Sequence, residues 1–133
     1  MSTPISPRSA ITLEDVRSVS PMLAQLTQDA IVDNMWQRPT LPARERSMVT
    51  LAALIAHNQT MAMQHYANLA LDHGVTPGEI SEIVTHLAFY AGWPNAFSAV
   101  AAIKDIFAQR GIGLDQLPPA GPEPAAPGQV SGE

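Results

Sequence analysis

Glu45 and His86 are the two residues whose type and setting best suit acid–base chemistry. Glu45 lies in the first turn of a predicted helix and heads an apolar stripe that includes Met48 and Ala52. Burial raises the pKa of a carboxyl group and makes it a usable proton donor near neutral pH. His86 lies in the middle of a later predicted helix, and an imidazole can give or take a proton at neutral pH. The pattern therefore predicts a carboxyl–imidazole pair.

Each of these two residues also has a purely structural explanation. A carboxylate such as Glu45 can complement the positive end of its helix dipole, or it can pair with Arg44 or Arg46. His86 can be a core histidine that is hydrogen-bonded to a neighbour. Structural ion pairs are common, so the pattern alone leaves both explanations open.

Three further side chains could act together with this pair. Tyr90 follows His86 by one helical turn and offers a hydroxyl donor. His57 and His65 lie near the junction of the third and fourth predicted helices. Together with His86 they form no ligand motif, so we predict no metal site. His73 is most simply the last residue of its helix.

The hydrophobic pattern is helical throughout, and no alternating strand pattern is present. An all-α fold of about six helices is therefore predicted. Serine, threonine, proline and glycine mark the helix ends. The predicted helices run over residues 12–19, 20–35, 42–57, 60–73, 76–91 and 94–110.

Two of these helices carry unusual faces. Residues 48–56 are apolar on almost every side, which predicts a fully buried helix. The fifth helix has a core stripe that includes Ile80 and Leu87. Its second stripe is aromatic and ionisable and suits an interface or a pocket wall; it comprises Glu82, His86, Phe89, Tyr90 and Trp93.

Composition limits the class of protein. The chain has 133 residues, of which 46% are hydrophobic and 14% are charged, and this suits one folded domain. The absence of cysteine excludes disulfides, thiolate metal sites and cysteine nucleophiles. The net charge is −5 and no basic patch is present, so we expect no nucleic-acid partner. No apolar run is long enough for a membrane span and no signal sequence is visible, so we expect a cytoplasmic protein without a membrane partner.

The ends of the chain differ from the middle. Residues 1–10 are expected to form a flexible N-terminus. Residues 118–133 are rich in proline and glycine and are expected to form a disordered tail. The helical domain is then 11–117. Its low charge favours apolar surface buried between copies of the chain.

The segment from Trp36 to Phe107, just over half of the chain, resembles the carboxymuconolactone decarboxylase family within the alkylhydroperoxidase D-like superfamily, and several short strings in the expected order carry the resemblance. The run from His86 to Pro94 is the most specific of them. The strings are Trp36–Pro39, Arg44–Ser47, Ala52–Ala56, Gly74–Thr76, Glu79–Ile80 and His86–Pro94. The resemblance implies an alkylhydroperoxidase D-like all-α fold, assembly into homotrimers or homohexamers, and activity without a cofactor.

The resemblance also bears on redox chemistry. Redox members of the superfamily use a CxxC pair, a nearby histidine and an upstream glutamate that corresponds to Glu45. The cysteines would fall near His57 and Thr60, where this chain has none, so thiol peroxidase activity is excluded. Similar family members tend to have a histidine at the position of Tyr66, and here His65 precedes it. Either His65 replaces that histidine through a shifted helix, or Tyr66 changes the site.

The family reaction removes CO2 from 4-carboxymuconolactone, an intermediate of aromatic compound degradation, and leaves a carbanion conjugated to the lactone carbonyl. Such a site needs a proton donor and groups that bind the carboxylate and the developing oxyanion. The resemblance thus implies a decarboxylase for this or a related small cyclic carboxylic acid.

The residue roles implied by the resemblance are as follows. Either His86 or Glu45 donates the proton. Arg46 or Arg38 holds an acidic group, and Tyr90 donates to the lactone. Trp36 and Trp93 form apolar walls, with His65, Tyr66 and His57 as further binding residues.

Two other functions stay open at this point. One is a paralogue on the same fold that isomerises or binds a different small molecule. The other is a purely structural assembly partner, for which the sequence offers only apolar surface. A dry pocket that contains Glu45 and His86 would favour an enzyme or a binding protein.

Overall fold

The computed structural model describes residues 11–121, and this part of the chain is all-α and contains no strand, which confirms the predicted fold class. Its α-helices are α1 (Leu13–Val19), α2 (Pro21–Leu26), α3 (Ala43–Ala56), α4 (Thr60–Asp72), α5 (Pro77–Ala91) and α6 (Trp93–Gln109). A π-helical segment (Thr27–Val32) follows α2, and two 3-10 turns are present at Met35–Gln37 and Leu114–Gln116.

Apart from the end of α2, the helix ends lie within one residue of their predicted positions, because local hydrogen bonds determine them. Thr12 and Thr76 both cap their helices through capping boxes, in which the third helical residue reaches back to the cap. Gly74 follows α4 with φ +94°, and Gly92 separates α5 from α6 with φ +102°. These two positions favour glycine because other residues are strained at positive φ.

The second helix is shorter than its pattern predicts. Expected to reach residue 35, it loses α-helical hydrogen bonding after Leu26 and continues as a π-helix to Val32. The Thr27 hydroxyl donates to the Leu23 carbonyl at 2.7 Å and so competes with the backbone ladder. The Asp33 amide then bonds to the Gln28 carbonyl, five residues back. An apolar repeat of 3.6 residues predicts an ordinary α-helix and gives no signal for the wider turn of a π-helix.

The core lies between α3, α4, α5 and α6. α3 packs against α4 and α5, and α6 packs against α4 and α5. The largest fully buried side chains are Leu51, Ile55, Met63, Ile80, Ile106 and Ser47. α3 and α5 lie side by side in the same direction. Arg44 bonds to Glu79 near their first turns, and the Asn95 amide donates to the Ala56 and Ala91 carbonyls at their ends.

The prediction that the helix of residues 48–56 is fully buried is wrong for the single chain. Only the stripe of Ser47, Leu51 and Ile55 is buried. Val49 is 60% exposed and Ala53 lies on the surface. α4 and α5 make the main contacts of α3, and Val49, Ala53 and Ala56 stay exposed, so apolar residues of this helix remain on the surface.

An aromatic surface follows the outer faces of α5 and α6. Phe89 is 72% exposed, Tyr90 79%, Trp93 51% and Phe97 68%. Phe89 and Trp93 pack edge to face with ring centroids 4.9 Å apart. We call these four residues the aromatic ridge. The predicted second stripe of α5 is thus outside the core of the chain.

The predicted flexible N-terminus, residues 1–10, lies outside the described residues. So does the predicted tail from residue 122 onwards. Pro118 is described and crosses the start of α5, where a Cβ at Gly78 would lie 3.6 Å from the Pro118 Cδ. No helix within 11–121 is both long enough and apolar enough to span a bilayer.

Candidate functional site

Two concave regions are lined by four of the predicted site residues, Trp36, His65, Tyr66 and His86. The first, which we call the α4 cavity, has a volume of about 800 Å³ and lies between α4 and residues 11–37. The second, the α3/α5 groove, has a volume of about 730 Å³. Small-molecule sites typically occupy about 300–1000 Å³, so either region can hold a ligand of that size.

One face of α4 forms the wall of the α4 cavity. Side chains three or four positions apart share a helix face, and here the shared face consists of Ala62, His65, Tyr66, Leu69 and His73. The opposite face carries Met63, Ala67 and Ala70, which are fully buried in the core. The residues of α4 that a ligand can reach therefore lie on a different face from those that pack in the core.

Trp36 brings a second element to the same cavity. Its 3-10 turn places the indole nearly parallel to two rings of α4. The indole centroid lies 6.3 Å from that of Tyr66 and 6.4 Å from that of His73, at interplanar angles of 22° and 20°. His65 meets Tyr66 edge to face at 4.9 Å. Four aromatic rings therefore surround one side of the cavity.

Among residues 11–121, no acidic side chain, lysine or arginine lines the α4 cavity. Within the same part of the chain, His65 and His73 are the only lining side chains that can become cationic, and both are exposed. The remaining polar lining comes from threonine and glutamine side chains: Thr12, Thr27, Gln37 and Gln59. Such a surface can accept an anion through its imidazoles without repelling it.

The α3/α5 groove has a different chemistry. Met48, Val49 and Ala52 of α3 form its apolar side. The α5 side carries Glu79, Glu82 and His86 among apolar residues, and Pro118 closes one end. The groove is therefore apolar on one side and acidic on the other.

Arg44 holds the acidic residues at one end of this groove. Its guanidinium donates to the Glu45 carboxylate at 2.7 Å, to the Glu79 carboxylate, and to the Gly74 carbonyl at 3.4 Å. The hydrogen bond to Glu79, followed by that to Glu45, raises the pKa of Arg44. The backbone amide of Thr76, followed by Arg44, lowers the pKa of Glu79. The lowered pKa keeps the Glu79 carboxylate ionised, and Arg44 engages both carboxylates.

The structure does not bring Glu45 and His86 into contact. No described hydrogen bond or ion pair joins them, and only His86 lines the groove. The His86 ring is exposed and stacks on Tyr90 with centroids 4.8 Å apart. Glu45 is half-buried against Arg44. This ion pair is one of the two structural explanations that the sequence left open for Glu45.

The remaining predicted binding residues lie outside both concave regions. An Arg46 Nη2 donates to the Arg38 carbonyl at 3.4 Å, while the buried Arg46 Nε has no acceptor among the described residues. His57 is exposed at the end of α3, and Trp93 belongs to the aromatic ridge. Nowhere in 11–121 do three potential ligands cluster in a way that would hold a metal ion.

His73 is the site residue that the sequence pattern missed. In the sequence, the glycine that follows His73 indicates only that His73 is the last residue of its helix. Its spacing of seven from Tyr66 and eight from His65 was the available signal, since it puts all three near one face of a helix. His65 and Tyr66, between which the resemblance left the choice open, both line this cavity.

Comparison with known proteins identifies the family of this chain. Residues 21–105 match the model of the carboxymuconolactone decarboxylase family. The chain belongs to the carboxymuconolactone decarboxylase family. The match includes α2 to α6 almost completely and therefore both concave regions, apart from the residues of α1 and Pro118.

Two curated relatives have decarboxylase names. The 4-carboxymuconolactone decarboxylase of Acinetobacter baylyi is 31% identical over 83 residues, which are 62% of this chain and 62% of that protein. The nitrosuccinic acid decarboxylase of Metarhizium robertsii is 36% identical over 66 residues, which are 50% of this chain and 46% of that protein. The matched segment thus spans less than two thirds of either relative. Both names describe the loss of CO2 from a small acid, on substrates that differ.

Proposed function

We propose that this member of the carboxymuconolactone decarboxylase family is a cofactor-independent decarboxylase that acts on a small cyclic or lactone carboxylic acid at the α4 cavity. The observation that carries the proposal is an aromatic cavity of about 800 Å³ that has two histidines and no acidic residue in its lining. The decarboxylase names of two relatives support the reaction class.

The lining of the α4 cavity suits the departure of CO2. Breaking the bond between carbon and a carboxylate moves negative charge from the carboxylate into the rest of the molecule. An apolar site strips water from the carboxylate and so favours the dispersed charge of the transition state. Trp36, Leu69 and Ile31 give the cavity this character.

His65 and Tyr66 provide the proton and the hydrogen bond that the reaction needs. As CO2 leaves, the electron pair of the broken bond moves through the conjugated system to the lactone carbonyl oxygen. The Tyr66 hydroxyl donates to that oxygen, and protonated His65 delivers its proton to carbon. The neutral imidazole regains a proton from solvent before the next turnover.

The α3/α5 groove, which is lined by His86 and not by Glu45, is the second proposed place for the proton donor. By hypothesis, either His86 or Glu45 is that donor. Their surroundings favour it less, because Glu79 and Glu82 line the same groove and repel an anionic substrate. Arg38 and Arg46 remain proposed binders of an acidic group, and Tyr90 remains a proposed donor to the lactone.

The aromatic ridge supports a proposed homotrimer or homohexamer. Its four neighbouring aromatic residues are each more than half exposed, and contiguous apolar surface of this kind marks contacts between proteins. Light scattering on the purified protein tests this proposal. Phe97→Asp should shift the mass to that of a single chain, and a single-chain mass for the unaltered protein would overturn it.

Turnover of 4-carboxymuconolactone by the purified protein tests the proposed function. We expect product formation well above the spontaneous rate, unchanged by a metal chelator. A rate equal to the spontaneous one would overturn this substrate. A different member of the class, or an isomerase or binding protein on the same fold, would then explain the cavity, and the position of both arginines outside it favours that alternative.

A further inference from the structure

His73 has no role in the function proposed above, although its ring lines the α4 cavity and is exposed there. Its ring is nearly parallel to the Trp36 indole, with centroids 6.4 Å apart. No hydrogen bond or ion pair within 11–121 engages the imidazole, since the hydrogen bonds of His73 in this part of the chain all involve its backbone amide. The imidazole is therefore available to a ligand.

The position of His73 at the end of α4 supports a cationic role. Its backbone amide bonds to the Leu69 and Ala70 carbonyls, and His73 is the residue that caps the C-terminal end of α4. The final turn of a helix carries partial negative charge and stabilises a cation there. No arginine or lysine of the described residues lines the cavity to take this role.

The distance along α4 separates His73 from the proposed proton donor. His65 and His73 are eight residues apart, which is about 12 Å of helix at the usual rise of 1.5 Å per residue. Trp36 and Leu69 occupy the space between them on the cavity wall. One small planar molecule can thus lie along the indole with its two ends facing different imidazoles.

We infer that His73 is the specificity residue of the α4 cavity and that it selects planar, unsaturated carboxylic acids by binding a carboxylate that stays on the molecule. The ring of such an acid lies along Trp36. This inference rests on the proposed function for its location, but it concerns binding and requires no turnover.

The test uses the fluorescence of Trp36 with furan-2-carboxylate as an unreactive probe and furan-2-carboxamide as its neutral match. Trp93→Phe leaves Trp36 as the only indole in the chain. We expect saturable quenching by the acid and at least about tenfold weaker binding of the amide, because hydrogen bonds between charged groups are the stronger ones. Equal affinity for the two probes would overturn the inference.

Substitution of His73 then locates the selectivity. In the same background, His73→Gln should weaken acid binding by about tenfold and leave amide binding unchanged, while His73→Lys should keep the preference for the acid. Lys104→Gln is the matched control, since it removes an exposed positive charge on α6, away from the cavity. An equal loss for both probes in His73→Gln, or an equal loss of acid binding in Lys104→Gln, would overturn the inference.

The outcome is separable from that of the proposed function. Selective acid binding without turnover of 4-carboxymuconolactone would support His73 and overturn the proposed substrate. Turnover together with unchanged acid binding in His73→Gln would overturn the role of His73 and leave the decarboxylase proposal in place.

Discussion

The α4 cavity and the α3/α5 groove are similar in size but opposite in chemistry. The cavity is lined by aromatic rings and two free imidazoles, whereas the groove carries Glu79, Glu82 and His86. The most conspicuous ionisable residues, Arg44, Glu45 and Glu79, bond to one another near the first turns of two helices. An ionisable side chain is therefore a good candidate for a chemical role only when its neighbours do not already hold it in a hydrogen bond or an ion pair.

Removal of His65 should produce the largest effect. His65→Ala should lower kcat by about a hundredfold or more, which is the typical contribution of a positioned proton donor. The measurement is steady-state turnover of 4-carboxymuconolactone, with circular dichroism to verify the fold. A near-normal kcat in a folded variant would move the proton donor out of the cavity.

The Tyr66 hydroxyl should matter next. Tyr66→Phe keeps the ring against Trp36 and removes only the donor to the carbonyl. We expect kcat to fall by about tenfold with little change in KM, because the bond strengthens as negative charge develops on oxygen. A change confined to KM would instead indicate a role in binding.

The groove residues give the opposing prediction. If Glu45 and His86 carry the chemistry, Glu45→Gln and His86→Ala should each reduce turnover at least about tenfold while the assembly stays intact. The same assay, with light scattering for assembly, measures both. Normal rates in both variants would remove this pair from the mechanism and leave the cavity as the reaction site.

The acid dependence of stability should report on the groove alone. Because the folded pKa of Glu79 is lowered, its ionised form stabilises the fold above the ordinary value of 4.5, and this contribution is lost as the pH falls through the lowered value. Urea unfolding between pH 7 and pH 3 should therefore show a steeper loss in the unaltered protein than in Glu79→Gln. Identical pH profiles would contradict a stabilising role for the Arg44–Glu79 pair.

The sequence predicts features that depend on local hydrogen bonds and fails on those that depend on distant neighbours. The capping boxes at Thr12 and Thr76 and the break at Gly74 are local, and the structure confirms them. The full burial of α3 was wrong because burial depends on which helices cover each face. Trp36, His65 and Tyr66 were named as binding residues from the resemblance, but the cavity that they share was not predicted, since its wall needs Trp36 to approach α4 from 30 residues away from Tyr66.

The division of α4 into two faces also has a consequence for how this protein can change. Positions 62, 65, 66, 69 and 73 face the cavity, whereas positions 63, 67 and 70 are sealed in the core. Substitutions on the first face alter what the cavity accepts and leave the packing that holds the chain together untouched. New substrate preferences can therefore accumulate along one helix without a matching loss of stability, and a library restricted to those five positions would explore selectivity in a scaffold that keeps its fold.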